Sequence, residues 1–279
     1  FYAFVFGLFI LIFIKNNIIS KNDGFYNNFI VGDTEISNSL QKKLLSDKFI
    51  QKSFGSNFKD KIIIVGDSQG KDTYNSFFFN KDLFTKYNFI YLNTDIGKFN
   101  EKYKKDKKFE IDINQSKWIV ISSRWNENNY KELKLILNKF GEKIILFGQA
   151  PEFPENIIKF KKKYTIPEVT LFKNFIINKG SNISDNQIKN LEKIYFKNLY
   201  MYDPSINKIA LKIKDLANEK KIIFIDKANH LCNYDEKTCE FLVPKSNYEI
   251  LYNNSRFSRE GAMYIGKKYY ISLKNILYN

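Results

Sequence analysis

A three-layer α/β/α sandwich around a central parallel sheet, preceded by part of a transmembrane helix, is the fold the sequence predicts. From Lys61 onward, short runs of apolar β-favouring residues alternate with stretches of helical periodicity, which is the pattern of βαβ units. The first such run, Ile62 to Val65, is apolar at every position, as expected of a strand covered on both faces. At 279 residues the chain is long enough for one full domain with an appendage.

Phe1 to Ile14 is an unbroken apolar run ending at Lys15. Fourteen residues fall short of the roughly 20 that span a bilayer. The chain does not start with Met, however, and is expected to begin inside a longer protein that supplies the missing turns. A signal-peptide core has a similar length, but no basic region precedes the run and no small-residue cleavage site follows it. Residues 1–19 are therefore read as the end of a membrane helix.

Residues 20–60 are read as a linker and lead-in. Ser20 to Glu35 is polar, and Ile36 to Phe54 carries Leu40, Leu44, Leu45 and Ile50 at helical spacing. Residues 61–279 form the main domain. Its strands are predicted at Ile62–Val65, Phe89–Leu92, Trp118–Ser122, Ile144–Phe147 and Ile222–Ile225. Its helices are predicted from Asp72 to Phe78 and at Tyr130–Phe140, Asn186–Tyr200, Ile206–Lys220 and Ser258–Ile276. The Lys161-Lys162-Lys163 run reads as a solvated stretch.

In a parallel sheet, the loops at the carboxyl ends of the strands converge on one site. Gly66-Asp67-Ser68 stands at such an end, between the first strand and the first helix. A serine there has its hydroxyl near backbone N–H groups and the positive end of a helix dipole, where an oxyanion is stabilised. The competing reading is a tight turn with a helix cap, since all three residues are ordinary turn formers.

The net charge of +15 invites a nucleic-acid reading, but all but three of the 45 basic residues are lysines, scattered along the whole chain. No basic helix or basic-aromatic stripe stands out, so no nucleic-acid partner is expected. Cys232 and Cys239 lie in the loop after the last strand. A disulfide closing that loop would stabilise by roughly 2 to 3 kcal/mol and imply an oxidising compartment. A metal site built on the two cysteines and His230 would need a fourth ligand, for which Asp235 is the nearest candidate. No metal and no cofactor are assigned.

Taken together, these segments resemble one family. Ile62 to Ser68 resembles the first block of SGNH hydrolases, in which the serine of Gly-Asp-Ser is the nucleophile. Trp118 to Ser123 followed by Arg124-Trp125 is similar to the third strand of the SGNH domains fused to membrane acyltransferases of family three. Phe147 to Pro154 resembles the next strand end of that subgroup, Cys232 and Cys239 match its cystine loop, and Ser258 to Ala262 resembles the start of its last helix. The resemblance spans about Lys61 to Asn279, and Phe1 to Ile14 fits the last membrane helix of such a fusion.

The resemblance implies an SGNH/flavodoxin-like fold on the periplasmic or extracytoplasmic side of a membrane. It also implies an O-acyltransferase or esterase that moves an acyl group to or from sugar hydroxyls of envelope polysaccharide or a lipid-linked glycan, with the acyl donor coming from a membrane acyltransferase domain. Ser68 would be the nucleophile and its own N–H one oxyanion donor. Gly97 is the candidate second donor, and Asn126 the candidate for the family's asparagine donor. Arg124 is a candidate for binding an anionic group, against a structural ion pair. Trp125 is a candidate for stacking on a sugar ring, against core packing.

One part of the pattern departs from the family. Its Asp-x-x-His, where histidine takes the serine proton and aspartate orients it, falls here on Asn253-Asn254-Ser255-Arg256. Arginine stays protonated and has no lone pair for a proton, and asparagine carries no charge to stabilise an imidazolium. His230, the chain's single histidine, is the remaining candidate base, against a structural role beside the cysteine loop. The alternative to an active enzyme is a pseudoenzyme, a catalytically impaired domain that binds glycan or scaffolds a membrane acyltransferase.

Overall fold

The computed structural model describes residues 53–54, 59–153, 184–199, 204–244, 250–251 and 256–278. The apolar Phe1–Ile14 run, the Lys161–Lys163 run and Asn253 lie outside the described residues. Among the described residues, no helix is long and apolar enough to cross a membrane.

Six strands form the main sheet. The central strand β2 (Asp60–Gly66) lies between β3 (Tyr87–Asn93) and β4 (Trp118–Ile121), and β5 (Ile144–Phe147) and β6 (Ile223–Ile225) follow outward from β4. These five run parallel. A two-residue edge strand, β1 (Ser53–Phe54), pairs antiparallel with β3 on the other side. Ser53–Phe54, the last two residues of the span expected to form a lead-in helix, are strand, and the rest of that span lies outside the described residues.

Strand alternation sorts the core into two layers. Ile62, Ile64, Phe89, Val120, Ile145 and Phe147 face one side. Ile63, Val65, Ile119, Ile121, Ile144 and Leu146 face the other. Successive side chains of a strand point to opposite faces, so a strand apolar at every position demands helices on both. The first face is covered by α1 (Ser68–Phe78), α5 (Asp185–Lys197) and α7 (Arg259–Tyr278), through Phe77, Tyr195 and Tyr269 among others. The second is covered by α2 (Phe99–Lys105), α3 (Lys107–Gln115), α4 (Glu127–Phe140) and α6 (Pro204–Glu219).

Two of these helices, α2 and α3, were not anticipated from the sequence. The others begin within a few residues of expectation. The largest shift is in α1, which starts at Ser68 rather than Asp72, because the Asp67 carboxylate accepts the Gln69 N–H at 2.8 Å and caps the helix there.

Beyond β6, the short hairpin β7 (Cys232–Asn233) and β8 (Thr238–Cys239) is closed by a disulfide between Cys232 and Cys239. The bond takes both thiols out of the metal alternative. Its reduction is expected to lower stability by about 2 kcal/mol through the loop entropy returned to the unfolded chain. Thermal unfolding with and without a phosphine reductant measures this directly.

Candidate functional site

Strand order reverses at β2, so the crevice between the carboxyl ends of β2 and β4 is the place where a doubly wound sheet collects a site. The turn after β2 is built to let β4 come close. A Cβ on Gly66 would stand 1.7 Å from the Ser122 carbonyl oxygen, and one on Gly70 would stand 2.8 Å from it. Any side chain at Gly66 would force the end of β4 away. Ser122 N–H donates to Val65 O and Thr94 N–H to Gly66 O, fixing the turn to both neighbouring strands.

Ser68 is the first residue of α1, and its side chain is exposed. At that position its N–H has no intrahelical acceptor, so hydroxyl and amide both stand at the open end of the helix dipole. Asp67 is fully committed nearby: besides capping α1, it accepts the Ser123 hydroxyl and the Arg124 N–H, each at 3.0 Å. The aspartate of the turn therefore ties β4's loop to α1.

Of the two other candidate oxyanion donors, Gly97 is engaged elsewhere. The Gly97 N–H donates to Asp95 Oδ1 and to Asn129 Oδ1, both at 3.0 Å. Asn126 caps α4, its side-chain oxygen accepting the Asn129 N–H. Asn129, which the sequence reading passed over, is the buried member of this loop: its amide also donates to Arg124 O. The Gly97 N–H is thus taken, whereas capping α4 uses only the Asn126 oxygen, so the exposed Asn126 side-chain NH2 stays a candidate donor beside the Ser68 N–H.

Arg124 forms a bidentate pair with Glu152, both bonds 3.0 Å, which anchors the loop after β4 to the loop after β5. Glu152 is 1% exposed, and Gln149 Nε2 donates to it as well. Trp125 is a correction to the sugar-stacking expectation. Its ring is 2% exposed in the second core layer and its indole N–H donates to Phe147 O, so neither face is open to a ligand.

His230 is also a correction. Its Nδ1 pairs with Asp226 O at 2.8 Å and its Nε2 with Ser272 Oγ of α7 at 3.0 Å. The ring lies edge-on to Tyr269 at 5.1 Å, and burial holds its pKa below the usual histidine range. Both nitrogens are spent on holding the loop after β6 to α7, which leaves neither for Ser68.

Arg256 makes the strongest contact at this edge. Its guanidinium grips the Asp72 carboxylate through Nε (2.5 Å) and a terminal nitrogen (2.9 Å). Asp72 lies four residues after Ser68 in α1, and side chains at that spacing are neighbours on one helix face, about 5–6 Å apart at Cβ. Arg256 is thus pinned one helical turn from Ser68. Burial pushes the Asp72 carboxyl up, and Arg256 pulls it back.

A second cation lies beneath. Lys227, just after β6, is 1% exposed; its ammonium donates to Ser122 Oγ at 2.7 Å and reaches Gln69 Oε1 at 3.5 Å. Ser122 Oγ also bonds Thr73 Oγ1 at 2.8 Å, so the ends of β4 and β6 and the first turn of α1 share one buried polar knot. Burial lowers the Lys227 pKa to about 8, against the opposing pull of Asp72 and Asp67.

No protein-family model matches the sequence, and no curated protein sequence matches it either. Among solved structures, the periplasmic domain of a lipopolysaccharide acetyltransferase from Salmonella ser. Paratyphi A is similar, with a TM-score of 0.57, over 88% of this chain and 98% of that one at 15% identity. The two share a fold. A GDSL-like lipase from Bacteroides thetaiotaomicron matches over 87% of this chain and 98% of its own, with a TM-score of 0.41 and 12% identity. In this fold, Ser68 stands at the turn after the first parallel strand, and Arg256 lies just before the last helix, whose start is capped by Ser258 Oγ accepting the Gly261 N–H.

Proposed function

We propose that this chain is the SGNH-like domain of a membrane-associated O-acylation system acting on cell-envelope polysaccharide, and that it holds glycan at the Ser68 edge without turning over acyl groups. The observation that carries this reading is the grip of Arg256 on Asp72. Arginine has no lone pair with which to take a proton, it is held on Asp72 one helical turn from Ser68, and the chain's histidine is occupied elsewhere. The similarity to a periplasmic acetyltransferase domain and the disulfide both favour an extracytoplasmic location, with residues 1–19 as the anchor. An acyltransferase in the membrane is the partner, and a polysaccharide or lipid-linked glycan is the ligand.

A fluorophosphonate probe tests this. Without an activating base, Ser68 is expected to stay unlabelled at pH 7 while envelope polysaccharide still binds. The exposed hydroxyl and unpaired N–H of Ser68 favour a second reading, acyl transfer to or from sugar hydroxyls through Ser68 itself. Stoichiometric labelling that disappears in Ser68→Ala establishes that second reading and overturns the first.

A further inference from the structure

Beyond β6 the chain builds a second concavity that the serine does not touch. A cavity of about 600 Å³ opens between α5, the disulfide-closed hairpin and α7, lined among others by Glu192, Asn229, Tyr234, Glu236, Glu240 and Lys268. Tyr234 is 48% exposed at the hairpin tip, its ring braced edge-on by Phe196 at 5.4 Å. Glu240 is held by the Lys268 ammonium and the Tyr264 hydroxyl, and Lys268 also donates to His230 O. The disulfide and the His230–Ser272 bond thus fix the walls on two sides.

The chemistry of the lining runs against that of the chain. On a protein of net charge +15, this cavity presents the carboxylates of Glu192, Asp235, Glu236 and Glu240 against Lys268 in its lining and Lys189 at 4.0 Å from Glu236. Burial, together with the nearby Glu240, pushes the Glu192 carboxyl above its ordinary range. A preformed hollow of a few hundred Å³ with an aromatic face and several converging acceptors has the features of a small-ligand site.

We propose that this cavity is a saccharide subsite that takes an uncharged pyranose of the glycan whose neighbouring units lie at Ser68. The inference rests on the glycan-binding reading above and extends it to a second location. Sugar hydroxyls are donors, and ionised carboxylates are acceptors only, so Glu192 and Glu236 match them. The Tyr234 ring offers a flat apolar face for the C–H side of a pyranose. A uronic acid or a phosphorylated sugar would meet four carboxylates that only two lysines offset, and be disfavoured. The location fits a polymer: the cavity continues from the carboxyl end of β6, three strand spacings from β2, or roughly 14 Å along the same sheet edge.

An array of bacterial envelope oligosaccharides, with neutral and uronate-containing members, tests the proposal on the disulfide-bonded protein. Binding is expected to be confined to uncharged glycans and to weaken at least tenfold in both Tyr234→Ala and Glu192→Gln, with thermal unfolding showing that both variants are folded. Equal binding of uronate-containing glycans overturns the proposal. Glycan binding that is indifferent to both variants overturns the subsite and leaves the Ser68 reading standing. An array with no bound glycan overturns both.

Discussion

Replacing Arg256 with methionine is expected to lower folding stability by about 3–5 kcal/mol, a large part of the total for a domain of this size. The cause is the group left behind. The Asp72 side chain is 4% exposed, and its two oxygens are both taken up by the guanidinium. Removing the arginine leaves a buried carboxyl that must either stay charged without its bidentate partner or take up a proton. Asp72→Leu in the same molecule is expected to recover most of the loss, since removing both charges spares the desolvation of either one. Chemical denaturation of both single variants and the double variant closes the cycle. A coupling near zero would show that the ion pair contributes nothing, and would weaken the case that it governs the serine site.

Lys227→Met is expected to act in the opposite direction, raising stability at pH 7 by about 1–3 kcal/mol. The ammonium is buried, and its pKa near 8 lies about two units below that of a free lysine, so keeping it charged in the folded state costs about 3 kcal/mol. Part of that gain is lost because Asp72 also feels Lys227 as a cation. The pH dependence identifies the cause. Between about pH 8 and pH 10.4 the unfolded chain keeps a proton on Lys227 that the folded chain has released, so raising the pH stabilises the wild type across that window. The variant has no such term, and its advantage should shrink as the pH rises. A variant less stable at pH 7 would show instead that the bonds to Ser122 and Gln69 outweigh the burial of the charge.

The parallel strands were legible because each is an apolar run bounded by turn residues, and a sheet buried on both faces requires that pattern. Helices α2 and α3 were not legible. They are short and lysine-rich, and they hold to the core mainly through Phe99, Phe109 and Ile113, too few apolar positions for a period to show. At the site, Gly66-Asp67-Ser68 and the arginine at 256 could be read from local sequence. Asp72 and Lys227 could not, because neither residue is unusual in its segment and only the fold brings β6, β4 and α1 to one point. The loss of the Gly97 N–H to another acceptor has the same origin: its partner Asn129 is placed by the packing of α4 against the loop after β3.

The clasp between Arg256 and Asp72 also constrains how the chain around Ser68 can change. A histidine at position 256 would reach Asp72 with at most one nitrogen and give up the bidentate grip, so that exchange alone yields a less stable protein. Asp72 would have to change in the same step. A single pair of charges thus couples one position in the first helix to another just before the last, and neither moves without the other except at a cost in stability.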